Sequence, residues 1–105
     1  MIVTKLVQYR KGDRFIMEIT KCAAAGTMES SDVYVEIEPC KNALVVELES
    51  VVKAQFGDAI EETVRQVLTE CGVTAAKVRV VDRGALECVI RARVETAAMR
   101  GKGEA

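Results

Sequence analysis

Histidine and tryptophan are absent from this 105-residue chain, proline occurs once, and aromatic residues make up only 4% of it. Without histidine there is no imidazole to serve as a general base near neutral pH. Ser-His and Cys-His nucleophile pairs are excluded as well, along with the commonest transition-metal ligand. An independent hydrolase is therefore disfavoured, and no catalytic residue is assigned. So few aromatics leave no stacking platform for single-stranded nucleic acid. Positive charge is not in excess either: 15 Lys and Arg stand against 16 Asp and Glu, a formal net charge of -1. No basic field is available for nucleic acid or an anionic membrane. No apolar run approaches bilayer-spanning length and the N-terminus lacks an apolar signal core, so the expected location is cytoplasmic.

The four cysteines, Cys22, Cys40, Cys71 and Cys88, form no C-x-x-C pair, which leaves a zinc site unsupported. A disulfide framework would need an oxidising compartment. Cys71 and Cys88 are expected on apolar helix faces, behaving as small hydrophobes. With 50% hydrophobic and 30% charged residues, the chain has the balance of one globular domain with one core.

Residues 1–16 carry Lys5, Arg10, Lys11 and Arg14 beside apolar Ile2, Val3, Leu6 and Val7. They are expected to form a peripheral or disordered extension, either an added strand or an extra upstream translation, with Met17 an alternative start. The domain is expected over 17–105. From Asp32 to Glu38, Val33, Val35 and Ile37 alternate with Tyr34, Glu36 and Glu38, the period of a half-buried strand. Pro39 to Asn42 reads as a loop. A second alternation places Leu44, Val46 and Leu48 on one face, and the pair of runs predicts an antiparallel hairpin.

Ser50 is a candidate N-cap. The apolar set Val52, Phe56, Ala59, Ile60, Val64, Val67, Leu68 and Cys71 then recurs at helical spacing. Gly57 is a candidate break in this helix, and Gly72 supplies its stop. A third strand, Lys77 to Asp82, points Val78 and Val80 inwards. After the turn Asp82-Arg83-Gly84 a second helix carries the stripe Leu86, Val89, Ile90, Val94 and Ala97, followed by a frayed tail from Gly101. The order ββαβα predicts an α+β fold, a two-layer domain whose three-stranded sheet (the hairpin plus one strand) is covered by two helices. A crossover from the second strand to the third would be right-handed if the two are parallel.

The carboxylate pairs Glu36/Glu38 and Glu47/Glu49 would share a face on neighbouring strands; solvated strand surface outweighs a metal site, and no metal ligand is assigned. Gly84 has the wrong glycine spacing for a phosphate-cradling loop. Arg65, Arg91 and Arg93 read as solvated helix charges. The stretch Gly26-Thr27-Met28-Glu29-Ser30-Ser31-Asp32 stands apart: two adjacent hydroxyls between Glu29 and Asp32, on a segment expected to be flexible. Ser-Ser-Asp before a strand is also ordinary turn chemistry. The residues alone leave a carrier or an interaction module.

Three blocks in order carry a resemblance: Gly26 to Val33, Val51-Val52-Lys53-Ala54-Gln55-Phe56-Gly57-Asp58-Ala59-Ile60, and Asp82-Arg83-Gly84-Ala85-Leu86-Glu87-Cys88-Val89-Ile90-Arg91-Ala92-Arg93. Together they resemble the citrate lyase acyl carrier proteins, the gamma subunits of that complex, over most of Met17 to about Met99. The resemblance implies a non-catalytic carrier bearing a covalently attached 2'-(5''-phosphoribosyl)-3'-dephospho-CoA arm, joined through a phosphodiester to a serine. The matching position is Ser30; Ser31 stands where many relatives have glycine and offers a second, weaker candidate. The implied partners are an alpha subunit that exchanges acetyl for citryl, a beta subunit that cleaves citryl to oxaloacetate, and the arm-attaching transferase. Such an arm raises the effective concentration of substrate at two active sites. The cysteines are not needed, because the reactive thiol belongs to the arm. A malonate decarboxylase carrier subunit and an unmodified protein–protein interaction domain are the alternatives.

Overall fold

A computed structural model describes residues 16–102, apart from the side chains of Lys53 and Ala54; the expected N-terminal extension lies outside the described residues but for Ile16. The elements run β1 (Ala23–Gly26), β2 (Val33–Glu38), β3 (Leu44–Ser50), α1 (Lys53–Cys71), β4 (Ala76–Asp82) and α2 (Glu87–Gly101). The α+β class and both helices agree with the sequence reading. The sheet has four strands rather than three, in the order β1-β2-β4-β3.

The expected hairpin between β2 and β3 does not form. Instead β2 pairs antiparallel with β4, and β3 pairs parallel with β4 on its other side. Alternation specifies which face of a strand is buried and carries no information about its lateral neighbour. The connection through α1 returns β4 beside β3 in parallel, so β4 takes the central place. The true hairpin is β1–β2, with Ala25 opposite Val35 and Gly26 opposite Tyr34. Its connecting loop is the hydroxyl-rich segment 27–32.

Val33, Val35 and Ile37 of β2 and Val78 and Val80 of β4 are buried, as their alternation requires. They meet Ile60, Val64, Val67 and Leu68 of α1 and Ile90, Val94, Ala97 and Ala98 of α2 in one core, which Met17 and Ile19 complete. Each fully buried aliphatic contributes roughly 1.5–3 kcal/mol. Phe56 and Leu86, expected on the buried stripes, are exposed instead: Phe56 sits in the first turn of α1 and Leu86 just before α2, each ahead of the first buried residue of its helix, Ile60 and Ile90. Cys88 is exposed and Cys71 half-buried; burial, with Glu95 nearby, pushes the Cys71 thiol up to about 11.

Gly57 does not break α1, which is continuous, and Gly72 closes it at φ 87° with its N–H on the carbonyls of Leu68 and Thr69. Ser50 ends β3 rather than capping α1: its hydroxyl accepts from the Val52 N–H at 3.0 Å and donates to Asp82 at 2.8 Å. Gly101 belongs to α2 and is buried, its carbonyl accepting from the N–H groups of Thr20 and Lys21. The anticipated acidic patch is interleaved with cations, because β4 separates β2 from β3. Arg79 lies 3.6 Å from Glu36 and 3.9 Å from Glu49, and Lys77 lies 3.9 Å from Glu47. Among the described residues no group of three or more His, Cys, Asp or Glu could hold a metal ion.

Candidate functional site

The β1–β2 loop is built from its ends inwards. Gly26 adopts φ 93°, and a Cβ there would lie 1.9 Å from the Val33 carbonyl oxygen, so the strand can leave the hairpin only as glycine. Thr27 donates its hydroxyl to Asp32 Oδ2 at 2.7 Å and accepts the Glu29 N–H at 3.2 Å. The Asp32 N–H reaches back to the Glu29 carbonyl at 3.1 Å, closing a four-residue turn with Ser30 and Ser31 at its centre. Ser31 has φ 67°. A positive φ at the third position of a turn is where glycine is the ordinary occupant.

Asp32 locks this loop to the scaffold. Besides the Thr27 hydroxyl it accepts the Val33 N–H at 2.7 Å, and Arg93 of α2 grips both oxygens at 3.2 Å. The Thr27 hydrogen bond, the Val33 N–H and the Arg93 guanidinium together hold the carboxyl down at about 2, against the opposing effect of burial. On the other side the Ser31 N–H donates to the Arg83 carbonyl at 2.8 Å, and the Arg83 N–H donates to the Asp32 carbonyl at 2.9 Å. Asp82, next in sequence and buried, accepts from the Ser50 hydroxyl and from the Ala85 N–H, joining the ends of β3 and β4 to the approach of α2.

The segment expected to be flexible is thus pinned along its backbone. What it leaves free is the crown. Ser30 and Ser31 are exposed, and among the described residues neither hydroxyl has a hydrogen-bond partner. Met28 and Glu29 are exposed alongside them. An exposed, unbonded serine hydroxyl at the tip of a rigid turn is accessible to an attaching enzyme and holds its substituent at a defined place. The fit to a phosphodiester-linked group is good for that reason: esterifying either hydroxyl disrupts no hydrogen bond it makes among the described residues. Among the described residues no carboxylate is hydrogen-bonded to either hydroxyl, as a general base poised to activate it would be.

Both candidate serines lie in one turn. The structure adds Arg93, Asp82 and Arg83, none of which the sequence pattern marked as part of the site. Arg93 read as a solvated helix charge because its partner Asp32 is 61 residues away. No local spacing reports such a pair. Arg91 and Arg65 do not join the site: Arg91 pairs with Glu70 at 2.6 Å and Arg65 with Glu61 at 3.0 Å. No described helix is long and apolar enough to cross a membrane.

A family model described as the malonate decarboxylase delta subunit (MdcD), an acyl carrier protein model, matches residues 20–101. The chain is 57% identical over 88 residues to a citrate lyase acyl carrier protein of Haemophilus influenzae (strain PittEE), covering 84% of this chain and 92% of that protein. It is 58% identical over 85 residues to the citrate lyase acyl carrier protein of Escherichia fergusonii, covering 80% of this chain and 88% of that one. Among solved structures, a chain from the crystal structure of a Pseudomonas malonate decarboxylase hetero-tetramer in complex with malonate superposes with a TM-score of 0.70. That match covers 81% of this chain and 88% of the other at 20% identity, which shows a shared fold.

Proposed function

The chain belongs to the family of citrate lyase acyl carrier proteins, and on that premise we propose that Ser30 is the attachment point of a phosphoribosyl dephospho-coenzyme A arm. The chain is a carrier and not a catalyst. When attached, such an arm supplies a thiol on which acyl groups travel between catalytic subunits during cleavage of citrate to acetate and oxaloacetate. This chain's own residues present the serine. Gly26 turns the strand out of the hairpin, Asp32 and Arg93 hold the loop on α2, and the Arg83 main chain holds it on β4. The reading has the chain work in the cytoplasm, with an alpha subunit that exchanges acetyl for citryl, a beta subunit that cleaves citryl, and an arm-attaching transferase.

The observation that carries this reading is the exposed, unpartnered Ser30 hydroxyl at the centre of a tethered turn. Ser31 is the weaker site because its positive φ marks a position shaped for glycine, where a side chain is tolerated rather than required. The malonate decarboxylase alternative has the family model's description and a fold match at 20% identity behind it. The citrate lyase reading has 57% identity over most of the chain, which favours it.

Intact mass of the protein produced with its partner and transferase enzymes, followed by fragment mapping, tests the assignment. The expected result is a dephospho-coenzyme A derivative on Ser30, lost in Ser30→Ala. An adduct retained by Ser30→Ala would move the site to Ser31. An unmodified wild-type chain under citrate-fermenting conditions would overturn the carrier reading in favour of an interaction module.

A further inference from the structure

We propose that the Arg83 side chain binds the phosphodiester that joins the arm to the Ser30 loop, fixing the root of the arm against the sheet. The inference rests on the Ser30 carrier reading and adds to it a residue of this chain that recognises the attached group. Six arginines lie among the described residues, and five are satisfied: Arg65 by Glu61, Arg79 by Glu36 and Glu49, Arg91 by Glu70, Arg93 by Asp32, and Arg100 by the Ala24 carbonyl. Arg83 is exposed and has no side-chain partner among the described residues. Its main chain is nonetheless bonded directly to the loop, accepting from the Ser31 N–H and donating to the Asp32 carbonyl. An unneutralised guanidinium is therefore carried on the residue paired with the attachment turn.

The chemistry matches. A phosphodiester is a permanent anion with two unesterified oxygens, and guanidinium is a permanent cation whose paired N–H groups fit two such oxygens. β2 and β4 are paired up to Val33 and Asp82, and the Arg83 backbone carries that pairing on to Ser31 and Asp32, which sets the base of its side chain beside the residue next to Ser30. Arg93 cannot serve, since Asp32 occupies it. Gly84, next to Arg83, has φ 94° and open space around it, so the turn bearing the guanidinium is not crowded from that side.

Arg83 contributes to the tether only through its backbone, so Arg83→Gln leaves those hydrogen bonds in place and the variant is expected to fold. The test uses loaded protein, its adduct mapped to Ser30 by mass, and reads the phosphorus resonance of the diester by NMR. In the wild type the resonance is expected to relax fast, as a group fixed to the domain does, and to narrow as added salt screens the pair. In Arg83→Gln it is expected to be narrow and shifted at all salt concentrations. Arg83→Lys, a point charge without the fork, is expected to fall between them. An adduct on Ser30 whose resonance is the same in all three proteins overturns the inference and leaves the carrier reading intact. Slower loading of Arg83→Gln by the transferase, with an unchanged resonance, overturns it too and assigns Arg83 to enzyme docking. Absence of any adduct from wild-type Ser30 overturns the carrier reading and the Arg83 inference together.

Discussion

Replacing Asp32 by Asn removes the charge that locks the Ser30 loop to α2 while changing the side chain's shape very little. In the native protein four donors converge on this carboxylate: the Thr27 hydroxyl and Val33 N–H at 2.7 Å, and Nε and Nη2 of Arg93 at 3.2 Å. The amide oxygen of Asn keeps the Val33 N–H. Its NH2 group takes the place of Oδ2 and faces Arg93 Nη2, donor against donor. A hydrogen bond to a charged group contributes roughly 1.5–3 kcal/mol net. The Arg93 side chain is 42% exposed and rehydrates when released, so the expected loss lies at the low end, about 1.5 kcal/mol. Urea denaturation at pH 7 reads this as a drop in midpoint of roughly 0.5–1.5 M.

The same pair of proteins, followed towards acid, gives a second and sharper reading. Asp32 has its folded pKa lowered from 3.8 to about 2. A depressed carboxyl stabilises the folded state fully above the unfolded pKa, and that contribution is lost as pH falls through the folded one. The stability difference between wild type and Asp32→Asn should therefore be constant from neutral pH down to about pH 5, shrink below pH 4, and largely vanish near pH 2. Other carboxylates cancel in the comparison. Equal midpoints at pH 7, or a difference that persists undiminished to pH 2, would refute the assignment of Asp32 as the electrostatic lock.

Two further substitutions probe the turn itself. Gly26→Ala places a Cβ 1.9 Å from the Val33 carbonyl at φ 93°, and left-handed strain of about 1–2 kcal/mol added to overpacking of about 1–3 kcal/mol should destabilise the fold by about 3 kcal/mol. Thermal denaturation within 0.5 kcal/mol of wild type would show that the hairpin exit tolerates a side chain. Ser31→Gly relieves roughly 1 kcal/mol of strain at φ 67° but adds about 0.5–1 kcal/mol of unfolded-state entropy. Its stability should match the wild type closely, and its mass adduct should remain on Ser30; loss of the adduct would identify Ser31 as the modified serine.

Much of the site was legible because it is local. Gly26, Thr27, Ser30, Ser31 and Asp32 lie within seven residues, and turn chemistry acts over that range. The alternation of Val33, Val35 and Ile37 and the stripe Ile60, Val64, Val67 and Leu68 likewise reported burial, because period follows directly from strand and helix geometry. The four-residue β1, Ala23–Gly26, was invisible, since three alanines and a glycine have neither alternation nor strand propensity. Phe56 and Leu86 kept the helical period yet lie beyond the core, because period defines a face and says nothing of where the neighbouring layer ends.

By itself, then, the sequence determined the class of the fold, the buried faces, the turn that carries two hydroxyls and the absence of any imidazole chemistry. All of these follow from residue type and from interactions a few residues apart. Only the tertiary structure decided that β4 lies between β2 and β3, that Arg93 clasps Asp32 from α2, and that Arg83 is bonded to the β1–β2 loop while its guanidinium has no partner among the described residues. Each of those depends on residues tens of positions apart meeting across the sheet. Such meetings are selected by the packing of the whole core, and no local pattern records them.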